Sequence, residues 1–294
     1  MLTKNQFDVM ELLASQDKKY SQRKIAEALD VSVGTVNKLL AELTSEGFIE
    51  DGALTQKGLD ALKPYEVKRA VIVAAGFGSR LVPITLNTPK PLVRVKGVRI
   101  IEPILDALTE CGIEEIYLVR GYLATQFDDL LYKYPNIKFI ENPIYNESNN
   151  IGSIYFARDF LQNAYILEAD LLLYNKALIK KYQYCTNYLG IPVEETDDWC
   201  MYLKNNYVSK LVVGGKNCHK LVGISYWDGN DGAMLSKDVV DVFNMPGGRE
   251  RYWDQVPLEI CKSHYKVAVR TCKQEDVIEI DTFNELKAID PAYN

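Results

Sequence analysis

The stretch Val71-Ile72-Val73-Ala74-Ala75-Gly76-Phe77-Gly78-Ser79-Arg80-Leu81 constrains the fold more than any other part of this 294-residue chain. An apolar run enters a glycine-rich loop, the pattern of a buried strand whose carboxyl end opens onto a ligand. Thr88-Pro89-Lys90-Pro91-Leu92 follows, so one arginine lies in the loop and one lysine ten residues beyond it. Gly76 and Gly78 lack a Cβ, can adopt positive φ, and let backbone N–H groups approach a phosphate chain. Arg80 and Lys90 add fixed positive charge for it. The string is not the dinucleotide fingerprint, because no third glycine opens a helix. It is not a P-loop, because no Gly-Lys-Ser/Thr follows.

From Lys68 onward, strand and helix patterns alternate. Ala70–Ala74, Glu115–Val119, Ile137–Glu141 and Ala164–Glu168 read as strands. Ile101–Glu110, Ala124–Tyr132 and Ile151–Phe160 read as helices. Such alternation with short loops predicts an α/β fold: three α/β/α layers around a mostly parallel sheet, with ligands at the strands' carboxyl ends. Asp197–Val269 is richer in β-formers and aromatics and is expected to make a lid on the same site.

Residues 1–63 follow a different pattern and are expected to form a separate module, joined by a linker at 64–67 to a domain spanning 68–294. Lys4–Ser15 carries Phe7, Met10, Leu12 and Leu13 at helical spacing, and Ser21 is an N-cap ahead of Ile25, Ala26 and Leu29. Val31-Ser32-Val33-Gly34 reads as a turn. Thr35–Ser45 then turns Val36, Leu39, Leu40 and Leu43 inward and is stopped by Gly47. Phe48–Leu54 is a hairpin turning at Asp51-Gly52, and Thr55–Leu62 is a last helix. This order resembles a winged helix-turn-helix domain. In regulators of that type the helix matching Thr35–Ser45 enters the DNA major groove. Here Lys38 is that helix's only cation, Glu42 and Glu46 accompany it, and the module holds more acids than bases. DNA-binding modules show a basic stripe. DNA binding stands beside dimerisation (a homodimer), docking or regulation as the module's role.

Two further strands end in acids. Glu168 and Asp170 close Ile166-Leu167-Glu168-Ala169-Asp170, and their spacing of two puts both side chains on one side, where an α/β sheet would hold a metal ion. Asp276-Val277-Ile278-Glu279-Ile280-Asp281-Thr282 ends in Asp281, which either serves that site or caps the helix predicted over Thr282–Ile289. Gly121-Tyr122 follows one strand, and Asn149-Asn150-Ile151-Gly152-Ser153 opens a helix. Asn150 and Ser153 either cap that helix or offer hydrogen bonds to a ligand.

Together these strings resemble the signature of the nucleoside-triphosphate transferase family, which makes sugar-nucleotides and CDP-alcohols. The resemblance implies catalytic roles for Arg80, Lys90 and Asp170, with the arginine and lysine binding the triphosphate. It implies a nucleotide cradle of Ala74, Ala75, Gly76, Gly78 and Ser79, and base and ribose contacts from Gly121, Tyr122, Asn150 and Ser153. It also implies that Asp170 and Asp281 hold Mg²⁺, a hard cation suited to carboxylates, phosphate oxygens and water. Glu168 stands where the family usually has Asp, which leaves its role open.

Asp197-Asp198-Trp199, Ser225-Tyr226-Trp227-Asp228 and Arg251-Tyr252-Trp253-Asp254 contain all three tryptophans of the chain. Aromatic faces beside carboxylates are a means of holding a quaternary ammonium; each tryptophan read separately is also compatible with core packing. From about Lys68 to the end, the pattern resembles the bacterial CTP:phosphocholine cytidylyltransferases. That implies CTP and phosphocholine as substrates, with Trp199, Tyr226, Trp227, Asp228, Trp253 and Asp254 around the trimethylammonium. A sugar-1-phosphate, phosphoethanolamine or aminoethylphosphonate acceptor is the alternative, a primary ammonium wanting more carboxylate contacts and a smaller cage. A DNA-binding regulator that senses a nucleotide or choline metabolite is a second alternative.

The remaining composition is exclusionary. A formal net charge of −6 argues against general nucleic-acid binding. No run approaches a membrane span, and the first residues lack the apolar core of a signal peptide. Six cysteines without a C-x-x-C pair read as reduced thiols, which points to a cytoplasmic protein. With only His219 and His264, no His/Cys zinc site is expected.

Overall fold

The structure, a computed structural model, describes residues 1–15 and 20–294. The chain divides into two compact units. One is Met1–Val67 with Lys180–Tyr184; the other is Lys68–Ile179 with Cys185–Asn294.

In the first unit, α1 (Lys4–Ala14), α2 (Gln22–Leu29) and α3 (Val33–Ser45) precede a hairpin of β1 (Ile49–Glu50) and β2 (Ala53–Leu54), then α4 (Gln56–Leu62). Asp51 and Gly52 both take positive φ at the hairpin turn, and Gly47 does so behind α3. The helix α3 begins two residues before Thr35, because the Ser32 side chain accepts the Thr35 N–H as its cap. Phe7, Met10, Ile25, Val36, Leu43 and Leu62 form the unit's core, and Tyr182 and Tyr184 pack against it. The Tyr184 ring stacks on Tyr65 with centroids 5.6 Å apart. Lys180–Tyr184, expected within the second domain, therefore belongs to this unit.

The second unit comprises β3 (Arg69–Val73), β4 (Arg94–Val95), β5 (Val98–Arg99), α5 (Glu102–Glu110), β6 (Glu115–Arg120), β7 (Ile137–Glu141), α6 (Ile151–Ala157), β8 (Ala164–Glu168), β9 (Leu171–Leu173), β10 (Asn187–Lys204), β11 (Tyr207–Trp227), α7 (Gly229–Asn244), β12 (Ala268–Thr271), β13 (Val277–Glu279) and α8 (Phe283–Ile289). Its main sheet has the order β10-β12-β11-β8-β3-β6-β7. The four strands β8, β3, β6 and β7 are parallel, and β11 adds antiparallel to β8. The connections from β3 to β6 and from β6 to β7 run one way across the sheet and that from β7 to β8 runs back, and parallel crossovers are right-handed as a rule. They therefore put α5 on one face and α6 on the other, which makes three layers. The Ala124–Tyr132 segment coils as 3₁₀ turns rather than a regular helix. Ala70, Val71 and Ile72 of β3 are wholly buried, as expected of a strand covered on both faces. Val71, Val119 and Ile166 pack with Ile154 of α6 and with Leu235 and Val239 of α7.

Two features position the site. Val73 of β3 lies beside Glu168 of β8, so the glycine loop and the first acid pair leave adjacent strands together. The short ribbon of β9 and β13 then brings Glu279 opposite Leu171, next to that pair.

Candidate active site

After β3 the chain turns at Gly78, whose φ is +66°. A Cβ there would lie 3.0 Å from that of Lys90, so this glycine permits the loop to close over the lysine. Gly76 does not take positive φ, and open space surrounds it. Thr85 donates its hydroxyl to the Gly78 carbonyl at 2.8 Å and pins the turn.

Lys90 is buried, and its Nζ donates to Asp170 Oδ2 at 2.8 Å and to Asp281 Oδ1 at 3.1 Å. Arg80 reaches the same Asp281 oxygen at 2.8 Å from an exposed position. Burial alone would lower the Lys90 pKa, but the charges of Asp170 and Asp281 outweigh it and hold the ammonium above its ordinary value. The four residues expected to carry the chemistry thus form one ion-pair network. Asp281 is free to join it because Thr282, not Asp281, caps α8. The Thr282 side chain accepts from Glu285 N, and the Glu285 carboxylate accepts the backbone N–H groups of Asp281 and Thr282 at 2.7 Å.

Glu168, Asp170 and Glu279 bring carboxylate oxygens within 4.8 Å of one another. Burial raises the Glu168 carboxyl well above its usual range, reinforced by the charges of Asp170, Asp254 and Glu279. Burial, then Asp170 and Asp281, push Glu279 up to about 8. Asp170 Oδ1 is buried and has no hydrogen-bond partner among the described residues. An orphaned carboxylate oxygen among crowded acids is costly unless a cation uses it, and an all-oxygen donor set fits Mg²⁺. Glu279 had not been singled out from the sequence. Its signal was available, since Glu279-Ile280-Asp281 repeats the spacing of Glu168-Ala169-Asp170.

Two cavities meet at Arg80, Glu168, Tyr252, Glu279 and Asp281. The larger, about 320 Å³, is lined by Ala74, Gly76, Gly78, Ser79, Arg80, Lys90, Asn150 and Asp170. The smaller, about 190 Å³, is walled by the carboxylates of Glu168, Asp198, Asp254, Glu279 and Asp281, by Arg80, by the Trp199 and Tyr252 rings and by Leu211, Leu221 and Gln255, and Asp198 is paired with Lys220 at 2.9 Å. Those two rings meet edge to face with centroids 5.7 Å apart. Asp254 is buried, accepts the Tyr188 hydroxyl, and has its pKa pushed up to about 6 by burial. Gly223 of β11 leaves room for this wall, because a Cβ there would stand 2.3 Å from a Glu168 oxygen.

Several predicted contacts lie elsewhere. Trp227 is fully buried and donates its indole N–H to Ser225, and Trp253 stacks on Tyr188. Both belong to the apolar core and do not line the cavity. Tyr226 is buried against Tyr165, and Asp228 caps α7 by accepting the Asn230 and Asp231 N–H groups. Of the six residues expected around an ammonium, Trp199 and Asp254 line the smaller cavity, and Tyr252 joins them there. On the nucleotide side, Ala75 is buried and its carbonyl accepts from Tyr122 N. The Tyr122 hydroxyl is spent on the Thr85 and Leu86 carbonyls, and Gly121 exists to admit the Tyr145 ring, since a Cβ would lie 2.7 Å from it. Ser153 is buried against Asn142. None of these four lines either cavity. Asn150 makes no side-chain cap bond. Its Oδ1 accepts from Trp253 N at 2.8 Å, tying the two cavity walls together.

A glycine loop with Arg and Lys at the carboxyl end of a parallel sheet, facing a cluster of acids, defines a nucleotidyltransferase. Residues 70–202 match the MobA-like NTP transferase domain, and residues 2–50 match the winged helix-turn-helix DNA-binding family. The chain is 33% identical over 232 residues to the 2-aminoethylphosphonate cytidylyltransferase of Lancefieldella rimae, covering 78% of this chain and 94% of that protein. It is 30% identical over 224 residues to the choline-phosphate cytidylyltransferase of Streptococcus pneumoniae, covering 76% and 96%. A solved structure of the Streptococcus pneumoniae CTP:phosphocholine cytidylyltransferase superposes with a TM-score of 0.71 at 28% identity, over 78% of this chain and 100% of that one. The chain belongs to the NTP transferase family, in the group that contains these cytidylyltransferases, and carries a winged helix-turn-helix domain in front.

Proposed function

We propose that this nucleotidyltransferase couples CTP to a small acceptor with a phosphonate or phosphate at one end and an ammonium at the other, releasing pyrophosphate. The observation that carries this reading is the smaller cavity, where five carboxylates and two aromatic rings adjoin the glycine loop. A cation fits that wall; the uncharged hydroxyls of a sugar do not need it. Acid-rich and ring-poor, it favours a primary ammonium, which donates N–H bonds to carboxylates, and so an acceptor of the aminoethylphosphonate kind. Phosphocholine is the second reading, supported by the Trp199–Tyr252 pair, whose faces suit a quaternary ammonium.

In this reading an acceptor oxygen attacks the α-phosphorus of CTP in line. One P–O bond forms as the bond to the leaving pyrophosphate breaks, with no covalent enzyme intermediate. Asp170, with Glu279 and Asp281, would hold Mg²⁺, which supplies charge neutralisation on the phosphates. Arg80 and Lys90, now spent on Asp170 and Asp281, exchange those partners for triphosphate oxygens and stabilise charge on the leaving group. Asp254, Asp198 and Gln255 orient the ammonium end.

The test is pyrophosphate release with Mg²⁺ across CTP, UTP, dTTP, ATP and GTP against aminoethylphosphonate, phosphoethanolamine, phosphocholine and glucose-1-phosphate. Turnover with CTP and a primary-ammonium acceptor at least tenfold above phosphocholine is expected. The reverse order selects the second reading, and turnover confined to glucose-1-phosphate overturns both.

A further inference from the structure

Outside the two substrate cavities, Asp238, Cys261 and His264 bring a carboxylate, a thiol and an imidazole within 4.8 Å of one another. Asp238 projects from α7 and is buried, while the His264 side chain is 45% exposed. Cys261 and His264 sit at the two ends of one tight turn, closed by the His264 N–H donating to the Cys261 carbonyl at 2.9 Å. This turn puts thiol and imidazole on the same side, as a C-x-x-H ligand pair requires. Asp238 Oδ2 lies 2.8 Å from His264 Nδ1 and also accepts the Tyr265 hydroxyl.

Such a trio has two chemical uses, a nucleophile with its base or a metal site. A reactive cysteine needs a thiol of lowered pKa next to the imidazole. Here Asp238 is hydrogen-bonded to both the Cys261 thiol and the His264 imidazole, so the thiol's partner is a carboxylate and not the imidazole. The arrangement is wrong for nucleophilic catalysis.

We propose that Asp238, Cys261 and His264 form a second metal site, selective for a zinc-class divalent cation, with solvent as fourth ligand on the exposed histidine side. Sulfur, nitrogen and oxygen donors together suit zinc and exclude Mg²⁺, which takes oxygen ligands. Ligand atoms about 2.0–2.3 Å from a tetrahedral ion lie roughly 3.3–3.8 Å apart, so the observed trio needs adjustments of about an ångström. Tyr265 stays as the outer donor that orients the Asp238 carboxylate. The ion would clamp α7 to the segment that continues from Trp253, Asp254 and Gln255, the last two of which wall the smaller cavity.

The acid cluster of the active site contains no sulfur, which makes Co²⁺ a discriminating probe. Full-length protein, stripped with chelator and kept in excess Mg²⁺, is titrated with Co²⁺. One equivalent is expected to bind with a thiolate-to-cobalt charge-transfer band that Zn²⁺ abolishes. The band is absent in Cys261→Ser, and His264→Ala weakens Co²⁺ binding at least tenfold. Zn²⁺ raises the melting temperature of the parent by a few degrees and leaves that of Cys261→Ser unchanged. A parent protein without the band, or a band or thermal shift that persists in Cys261→Ser, overturns the site. Should Cys261→Ser fail to fold, Co²⁺ affinity unchanged in His264→Ala overturns it as well.

Discussion

Asp254 is a buried acid whose charged form the fold disfavours. Its folded pKa of about 6 exceeds the value of about 3.9 expected in an unfolded chain. The folded state therefore holds the proton more tightly. The stabilisation is complete below about pH 4 and is lost as pH rises through about 6. Asp254→Asn is thus expected to raise the urea midpoint above pH 6 and to leave it nearly unchanged below pH 4. In the same variant KM for an ammonium acceptor should rise about tenfold or more, and the rise in wild-type KM as pH falls through about 6 should vanish. Urea unfolding and initial rates at matched pH check both halves. At this scale the sequence was readable where a short string dictates geometry. Arg80, Lys90, Asp170 and Asp281 converge because loop and strand ends can lead them nowhere else. Trp227 and Trp253 were not readable, since an aromatic beside an acid looks the same whether its ring faces a cavity or a core. Only neighbouring strands and helices decide which face that is.

The helix α8 matters less for its own length than for what its cap releases. Thr282 and Glu285 form a capping box, and Glu285 also accepts the Asp281 N–H, so the carboxylate of Asp281 is left to face Lys90 and Arg80. Thr282→Ala should cost about 1 kcal/mol of stability, read from the urea midpoint. Glu285→Ala should lower kcat by more than its own loss of folded protein accounts for, because the Asp281 N–H then loses the carboxylate that anchors it. The sequence left cap and ligand roles open for Asp281, and the capping box starting one residue later gives the cap role to Thr282. Elements with strong periodicity, such as β3, β6 and β8, were legible from pattern alone. The pairing of β9 with β13 was not, as it joins segments about a hundred residues apart through three residues each. In the first unit, Lys38 lies 3.9 Å from Glu42 on α3.

Across the whole molecule, acids outnumber bases by 40 to 34, and several of the excess sit in the substrate cavities. A triphosphate entering such a site meets repulsion that Arg80 and Lys90, already paired, offset poorly. Chelation should therefore abolish pyrophosphate release and Mg²⁺ should restore it. CTP should raise the melting temperature by several degrees with Mg²⁺ and little without it, as thermal scans of the four combinations would reveal. No described helix is long and apolar enough to cross a membrane. Alternation of strands and helices made the parallel centre of the sheet legible. It gave no order for β10, β11 and β12, whose placement depends on contacts far apart in sequence. The first unit adds a point about engineering. Because it takes in Lys180–Tyr184 as well as Met1–Val67, it cannot be exchanged by a single cut and splice. A graft made at residue 67 would carry the module away without the tyrosines that complete its core.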